Sequence, residues 1–391
     1  MKISILTPDL SHNCFGRAYI LGKILQRCYD IEIVGPVFGD GIWGPVADDN
    51  CMTYKSVKIS SKLKDYRQIG KLVKMIDGDV IYASKPRFWS YDVGLLKKWF
   101  SKKPLVLDID DWELGFLINN RQSDSLVNKY SRIEYLLRNI KHSLRQPNNS
   151  YCLAAINERL VKCADEITVS NNFLRNRFGG TIVWHARDTD YFDPNKFDKN
   201  SIRAKHGIGE TEKIVIFCGT PGHHKGIEDL ITALKQTPDV FLIIIGIHEK
   251  RYCQELVSRA KRELGNERVH VFGVHPFSKI PEFLAMSDIV VLPQLQNSAT
   301  IGQVPAKVFD GMAMAKPIIA TNVSDLADIL SGCGWIVEPA RPDELAKAIR
   351  YVLDHPEESK ENGQKARERC KARYSFDAVG NVLCGLFKKY E

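Results

Sequence analysis

The sequence predicts an α/β protein with two doubly wound, Rossmann-like domains. Its 391 residues are too many for one ordinary core and suit two domains of about 150–200 residues each. Short apolar runs alternate with longer amphipathic segments along the chain. The runs have Val and Ile on both faces, as parallel strands covered by helices require. Such alternation in both halves is typical of doubly wound sheets.

The apolar runs define the predicted strands of each half. In the first half they are 2–9, 30–37, 79–84, 104–110 and 166–170. In the second half they are 213–220, 240–246, 269–273, 288–294 and 316–321. Amphipathic helices are predicted over 227–237, 343–355 and 375–391.

A polar stretch containing Pro194 spans residues 184–200 and separates the two halves. We therefore predict an N-terminal domain over 1–188, a C-terminal domain over 189–372, and a last segment over 373–391.

The composition is that of a globular protein without a membrane span. Apolar residues make up 44% and charged residues 26% of the chain, and no apolar run reaches the roughly 18–20 residues that a span needs. The first residues, MKISILTPDLSHN, resemble a buried strand more than a signal peptide. The ten Cys form no CxxC pair, which favours reduced thiols in the cytoplasm over a disulfide scaffold or zinc site.

The net charge of +8 is unevenly distributed, with Lys and Arg concentrated between Lys55 and Lys103. This basic stretch is either a solvated surface or a surface that attracts anionic lipid. The segment LLKKWF (95–100) mixes large apolar residues with Lys, as interfacial helices do. No recognition motif accompanies the charge, so we do not expect nucleic-acid binding.

The first candidate site follows a strand in FCGTPGHHKGIEDL, residues 217–230. Gly219 and Thr220 begin a turn that leads to Lys225 and a helix start. Glycine lets a backbone approach a ligand, and a helix N-terminus attracts anions. The pattern predicts a phosphate contact or, alternatively, a turn with a solvated Lys.

The second candidate site is the loop 295–305 and the helix that follows it, with Gly302–Val304 expected to present backbone N–H groups at the helix start. Lys307 and Asp310 are three residues apart and can share a helix face. Together they suit the phosphate and ribose of a nucleotide, respectively. A structural salt bridge between them is the alternative.

The third candidate site is LVLDIDDWELGF, residues 105–116. Strand alternation places Asp108 and Asp110 on one face, with Asp111 opposite or in the loop. The acids could form a metal clamp, contribute a polar group to a sugar site, or cap the following helix. A fourth and weaker candidate is the loop with Asn13 and Gly16, which follows the first strand.

Taken together, these motifs resemble the retaining glycosyltransferases of the GT-B fold, in glycosyltransferase family 4 (glycosyl transferases group 1). Gly219 and Lys225–Gly226 match the family's strand–Gly–x₅–Lys–Gly turn, whose Lys binds the diphosphate. FGVHPF supplies Gly273 and Val274 near the base, and PAKVFDGMAMAKPIIAT (305–321) resembles the P-x-K-x-x-E-x-M-A segment. Asp310 occupies the place of the carboxylate that binds the ribose.

The sequence departs from the family pattern at three positions. Asp110 stands where the family often has a His, Thr220 where it often has an Arg, and Gly302 where it has a first acidic residue. Gln303 is a candidate to take over the role of that acidic residue.

The resemblance implies two domains facing across a cleft, with the C-terminal helix crossing back to the N-terminal domain. It implies transfer of a sugar from a nucleotide-diphosphate donor to a hydroxyl acceptor, with no metal or other cofactor, in polysaccharide or glycolipid assembly. Alternatives are a sugar-nucleotide 2-epimerase of the same fold and a catalytically degenerate binding subunit.

The expected site residues fall into three groups. The catalytic residues are Asp110 and Lys225. The donor-binding residues are Gly219, Thr220, Lys225, Gly273, Val274, Gly302, Gln303, Val304, Lys307 and Asp310. The acceptor-binding residues are Asn13, Gly16 and Asp111.

Overall fold

The computed structural model describes residues 1–60, 66–122, 143 and 145–391. The described residues form two compact units. The first unit comprises 1–185, 301–303 and 379–391, and the second comprises 186–300 and 304–378. The chain passes from the first unit to the second between His185 and Ala186, and residues 379–391 belong to the first unit.

The first unit is built on a parallel sheet in the order β3-β2-β1-β4-β5-β6-β7. Its strands are β1 (Lys2–Leu6), β2 (Asp30–Val37), β3 (Thr53–Lys58), β4 (Val80–Ser84), β5 (Leu105–Ile109), β6 (Glu166–Val169) and β7 (Thr181–Ile182). Its helices are α1 (Gly16–Leu25), α2 (Gln68–Met75), α3 (Val93–Ser101), α4 (Glu113–Gln122), α5 (Tyr151–Leu160) and α6 (Asn172–Phe178).

The second unit is built on a parallel sheet in the order β10-β9-β8-β11-β12-β13. Its strands are β8 (Lys213–Cys218), β9 (Val240–Ile245), β10 (Val269–Phe272), β11 (Ile289–Leu292), β12 (Ile318–Thr321) and β13 (Trp335–Val337). Its helices are α7 (Lys199–Lys205), α8 (Ile227–Leu234), α9 (Arg251–Leu264), α10 (Ile280–Met286), α11 (Lys307–Ala313), α12 (Leu326–Leu330), α13 (Pro342–Asp354) and α14 (Pro356–Arg373). The final helix, α15 (Phe376–Phe387), enters the first unit at Val379.

The central strands are buried because helices cover both sheet faces. Every residue of β4 and β5 is buried, as the continuous apolar runs predict. The edge strands β3, β7 and β13 are short or partly exposed, and the apolar pattern therefore missed them. Within the described ranges, no helix combines the length and apolarity needed to cross a bilayer.

The strand order reverses at one place in each sheet, between β1 and β4 in the first unit and between β8 and β11 in the second. Ligands of doubly wound sheets bind beyond the carboxyl ends of the strands at such a reversal. The candidate sites follow β1, β5, β8 and β11, so they lie at or beside these two reversals.

Candidate functional site

In the second unit, Gly219 and Lys307 come together beyond the end of β8. Gly219 has a φ of +126°, and a Cβ at this position would overlap the side chain of Lys307. The Lys307 Nζ lies 5.6 Å from the centre of the Phe217 ring, and burial lowers the pKa of this ammonium. Gly219 therefore leaves the space that the lysine side chain occupies.

Two further glycines continue this edge at the ends of β9 and β10. The N–H of Gly246 donates to the carbonyl of Gly273 at 3.1 Å, and a Cβ at Gly246 would lie 2.7 Å from the carbonyl carbon of Gly219. Gly273 and Val274 are exposed. These two exposed residues therefore lie at the end of β10, where the base of the donor nucleotide is expected to bind.

Lys225 ends a short 3-10 turn, His223–Lys225, and is buried. It does not lie on a helix N-terminus, because α8 begins two residues later at Ile227. The intervening Gly226 has a φ of +65°, and a Cβ there would overlap the carbonyl oxygen of Pro293. The turn is therefore packed against the chain that leaves β11. Thr220, at the other end of this loop, is half-buried.

Asp310 lies in the first turn of α11, is buried, and forms an ion pair with Arg187. Arg187 also donates to the carbonyl of Ala306 at 3.0 Å, and its guanidinium lies 5.3 Å from the centre of the Phe277 ring. The sequence left open a salt bridge to Lys307. Asp310 does form a salt bridge, but its partner is Arg187, which lies in the polar stretch between the two predicted domains.

Gly302–Val304, expected to present backbone N–H groups at the start of this helix, lie in the loop ahead of its first turn. The helix begins at Lys307, with Ala306 as the N-cap, because the preceding residues take an irregular path. Gly302 and Gln303 instead belong to the first unit, whereas the buried Val304 belongs to the second.

In the first unit, Gly302 and Gln303 lie against the segment that follows β5. The carbonyl of Gly302 accepts from Asn171 Nδ2 at 3.2 Å, and Gln303 Nε2 donates to Asp111 Oδ1 at 2.7 Å. A Cβ at Gly302 would lie 2.5 Å from that of Trp112. Glycine is therefore required here for close packing.

Asp110 and Asp111 share the ammonium of Lys85, which the sequence analysis did not select. Lys85 Nζ is 2.5 Å from Asp110 Oδ1 and 2.6 Å from Asp111 Oδ2. Burial raises the pKa of Asp110 to about 7 against the opposing charge of Lys85. Against its own burial, the same ammonium holds the pKa of Asp111 below its usual range.

Lys85 follows β4 with a φ of +69°, a backbone conformation rare outside glycine. The KPR triplet at 85–87, directly after a predicted strand, is the sequence signal that could have indicated a charged site here.

Asp108, within β5, has partners of its own. Its carboxylate receives two bonds from Arg17, at 3.0 Å from Nε and 2.9 Å from Nη2, and one from Thr168 at 2.8 Å. Asp111 lies in the loop after β5, one of the two positions that the sequence analysis allowed, and shares Lys85 with Asp110. Across the described ranges, no group of three or more His, Cys, Asp or Glu residues is arranged to hold a metal ion.

Several buried polar atoms near the ends of β1 and β4 have no hydrogen-bond partner among the described residues. They include Thr7 Oγ1, Ser84 Oγ, Arg87 Nε and Glu113 Oε1. Arg87 Nη2 donates to Glu113 Oε2 at 2.5 Å, and Glu113 Oε1 lies 3.5 Å from Lys85 Nζ. Buried polar atoms of this kind are normally satisfied, so this region offers hydrogen bonds to a ligand or to water.

The fourth candidate lies in the turn Asn13–Phe15, which leads directly into α1 at Gly16. Asn13 is exposed, and a Cβ at Gly16 would lie 3.2 Å from the Trp43 ring. Between them, Cys14 is close enough to Arg87 and Lys85 for both charges to act on its pKa, although burial raises that pKa to about 12. This turn therefore lies near the charged cluster after β4.

Solved structures with the same architecture define the fold. The chain aligns over 100% of its length and 100% of Anabaena Alr3699/HepE in complex with UDP-glucose, with a TM-score of 0.77 and 17% identity. It aligns over 98% of its length and 100% of WaaG, a glycosyltransferase involved in lipopolysaccharide biosynthesis, with a TM-score of 0.64 and 14% identity. The fold is GT-B, as predicted.

The sequence comparisons find similarity to glycosyltransferases. Residues 198–369 match the model described as Glycosyl transferases group 1, the family that the motifs of this segment resemble. Relatives include an alpha-D-kanosaminyltransferase of Streptomyces kanamyceticus, 26% identical over 48% of this chain and 48% of that protein. Another is the alpha-maltose-1-phosphate synthase of Mycolicibacterium smegmatis, 27% identical over 54% of each. The chain spans about half the length of these relatives.

Proposed function

We propose that the protein is a retaining glycosyltransferase of family 4. It moves a sugar from a nucleotide-diphosphate donor to a hydroxyl acceptor in cell-surface polysaccharide or glycolipid assembly. The observation that supports this most directly is the convergence of Gly219 and Lys307 beyond β8, inside the segment that matches the family. The named activities of the relatives and the UDP-glucose complex of HepE agree with it.

In this proposal the diphosphate is bound by Lys307 and Lys225. A transferase of this kind must stabilise the negative charge that grows on the departing diphosphate, and a positioned ammonium does so without a metal or another cofactor. The half-buried Lys307 lies beside a glycine backbone, where a phosphate can approach closely. The base would lie along Gly273 and Val274, whose backbone is accessible.

Asp310 is proposed to bind the ribose while paired with Arg187. A carboxylate has two oxygens and about four acceptor sites, so one ion pair leaves capacity for hydroxyl groups. Arg187 would fix the orientation of the carboxylate, since the guanidinium is itself anchored on the Ala306 carbonyl.

Asp110 is proposed to accept hydrogen bonds from hydroxyls of the donor sugar, and the region of Asp111, Asn13 and Gly16 to bind the acceptor. The shared ammonium of Lys85 holds both carboxylates in place, and the unpartnered atoms beside it suit a polyhydroxylated ligand. The enzyme would act in the cytoplasm, on a glycan or lipid-linked acceptor at the membrane face.

Thermal melting with nucleotides tests the donor site. Wild-type protein is melted with UDP, GDP, ADP and CMP, each at about 1 mM. A ligand at about 100 times its Kd stabilises by about 2.7 kcal/mol. We expect one nucleoside diphosphate to raise the Tm, and Lys307→Gln and Lys225→Gln to reduce that rise.

Lys235→Gln, at an exposed position at the end of α8, is the matched control and should keep the full shift. Asp310→Asn preserves the shape of the side chain and should weaken the shift through the ribose. If no nucleotide raises the Tm of folded wild-type protein, the donor site is wrong and a degenerate binding subunit is the better interpretation.

A further inference from the structure

Helix α3 exposes an apolar tip on the surface of the first unit. Trp99 is 77% exposed, Phe100 73% and Leu96 37%. The opposite face of the helix is well packed, since Val93 is buried and a Cβ at Gly94 would lie 3.0 Å from Leu105. The aromatic side chains are therefore exposed on a firmly anchored helix.

The lysines of α3 are turned back toward the protein. Lys97 Nζ donates to the carbonyl of Val73 at 3.1 Å, and Lys98 Nζ lies 2.7 Å from Asp165 Oδ1. Their contacts leave Trp99 and Phe100 as the parts of the helix that extend furthest into solvent.

Exposed basic residues lie on α3 and on the neighbouring helix α2. Helix α2 packs against α3, and segments 66–76 and 93–103 together contain seven Lys or Arg and no Asp or Glu. Among these, Arg67, Lys71, Lys74 and Lys102 are exposed. We call Leu96, Trp99 and Phe100 with these four basic residues the α3 surface.

We propose that the α3 surface docks on an anionic lipid bilayer. Trp and Phe have the lowest cost at the level of the headgroups, where an apolar ring can bury itself. Nearby Lys and Arg side chains add electrostatic attraction to anionic headgroups. An acidic protein partner would satisfy the charge, but two adjacent protruding aromatic residues beside exposed basic residues match a bilayer better. The proposal extends the proposed function by naming the surface at which a lipid-linked acceptor would be met.

Vesicle cosedimentation of the full chain tests this inference. The probes are phosphatidylcholine vesicles with and without phosphatidylglycerol. We expect binding to the anionic vesicles and weak binding to the neutral ones, with attraction that falls as salt is added. The double variant Trp99→Ala/Phe100→Ala should bind anionic vesicles about tenfold more weakly or worse.

The matched control is Tyr351→Ala/Val382→Ala, which removes two large side chains that are 43% and 42% exposed elsewhere. It should bind as wild type does. Equal binding of the Trp99/Phe100 variant and wild type would overturn the proposal, as would failure of wild type to prefer anionic vesicles.

A nucleotide melting series on the same variants separates the two proposals. The Trp99→Ala/Phe100→Ala protein should keep the nucleotide-dependent rise in Tm while losing vesicle binding. Vesicle binding without any nucleotide effect in wild type would reject the glycosyltransferase proposal and leave the docking surface standing.

Discussion

Lys85, directly after β4, lies close to three carboxylates that follow β5. Its Nζ lies 2.5 Å from Asp110, 2.6 Å from Asp111 and 3.5 Å from Glu113. The left-handed backbone of Lys85 and its nearly complete burial show that the surrounding structure holds it in place. The cluster therefore depends on one residue with an unfavourable backbone conformation, a feature common at functional sites.

Replacing Lys85 by Met should destabilise the first unit by about 3–5 kcal/mol, because carboxylates would remain buried without their cation. Without the ammonium, burial raises the carboxylate pKa values above those of the unfolded chain, about 4. A carboxylate whose pKa is higher in the folded chain than in the unfolded chain destabilises the fold while it is ionised. This cost disappears once the carboxylate is protonated. The loss should therefore be largest near neutral pH and shrink as the pH falls toward about 4, as measured by urea unfolding across this range.

Lys98→Met is the matched control for this prediction. Lys98 pairs with Asp165 at 2.7 Å, but both side chains are partly exposed. Exposed pairs contribute at most about 1 kcal/mol, so this variant should unfold close to wild type at every pH. A Lys85→Met loss as small as that of the control, or one that grows toward acid pH, would contradict the charge argument.

At the scale of elements, the loop between β8 and α8 depends on a glycine that the family motif also contains. Gly226 has a φ of +65°, and no Cβ fits beside the Pro293 carbonyl. The carbonyl belongs to the chain that leaves β11, so the position couples the ends of two neighbouring strands.

Gly226→Ala should lower the free energy of unfolding by about 2 kcal/mol or more. The left-handed conformation alone costs Ala roughly 1–2 kcal/mol, and the overlap with Pro293 adds to it. Because the turn positions Lys225, the nucleotide-dependent rise in Tm should fall as well. Denaturant unfolding and the melting series measure the two effects.

Gly222→Ala provides the comparison within the same loop. Gly222 has an extended φ of −168°, and a Cβ would meet only the ring of His224 at 3.1 Å, a side chain that can move. We expect a change well below that of Gly226→Ala. Equal losses at the two positions would show that backbone conformation and the Pro293 contact are not the cause.

At the scale of the whole molecule, the last residues of the chain complete the core of the first unit. Phe387 is fully buried and packs against Tyr82 with ring centres 5.2 Å apart. Tyr82 lies in β4, so the first unit reaches its final packing only after the chain has been made as far as Phe387.

Phe387→Ala should destabilise the first unit by about 3–5 kcal/mol, the usual cost of removing a buried aromatic side chain. Limited proteolysis during thermal unfolding should show earlier cleavage within 1–185 and unchanged cleavage within 186–300. Val382→Ala, on the same helix but 42% exposed, is the control and should cost little. Equal destabilisation of both units would contradict this assignment of Phe387.

The architecture and many of the candidate positions could be predicted from the amino-acid sequence alone. Continuous Val and Ile runs specify buried parallel strands because both of their faces must be apolar. Such strands place their carboxyl ends along one edge, where Gly219 and Lys225 were selected from local spacing. These features are local in the chain, and a single sequence is enough to find them.

The pairing of charges, in contrast, is a property of the folded chain. Asp310 and Lys307, three residues apart, were expected to be partners, but Asp310 pairs with Arg187. Asp108 likewise pairs with Arg17, and Lys85 with Asp110 and Asp111. These partners are distant in sequence, and their pairing follows from the strand order. Spacing along the chain contains no information about which strand ends become neighbours, so the charge pairs at the candidate sites required the fold.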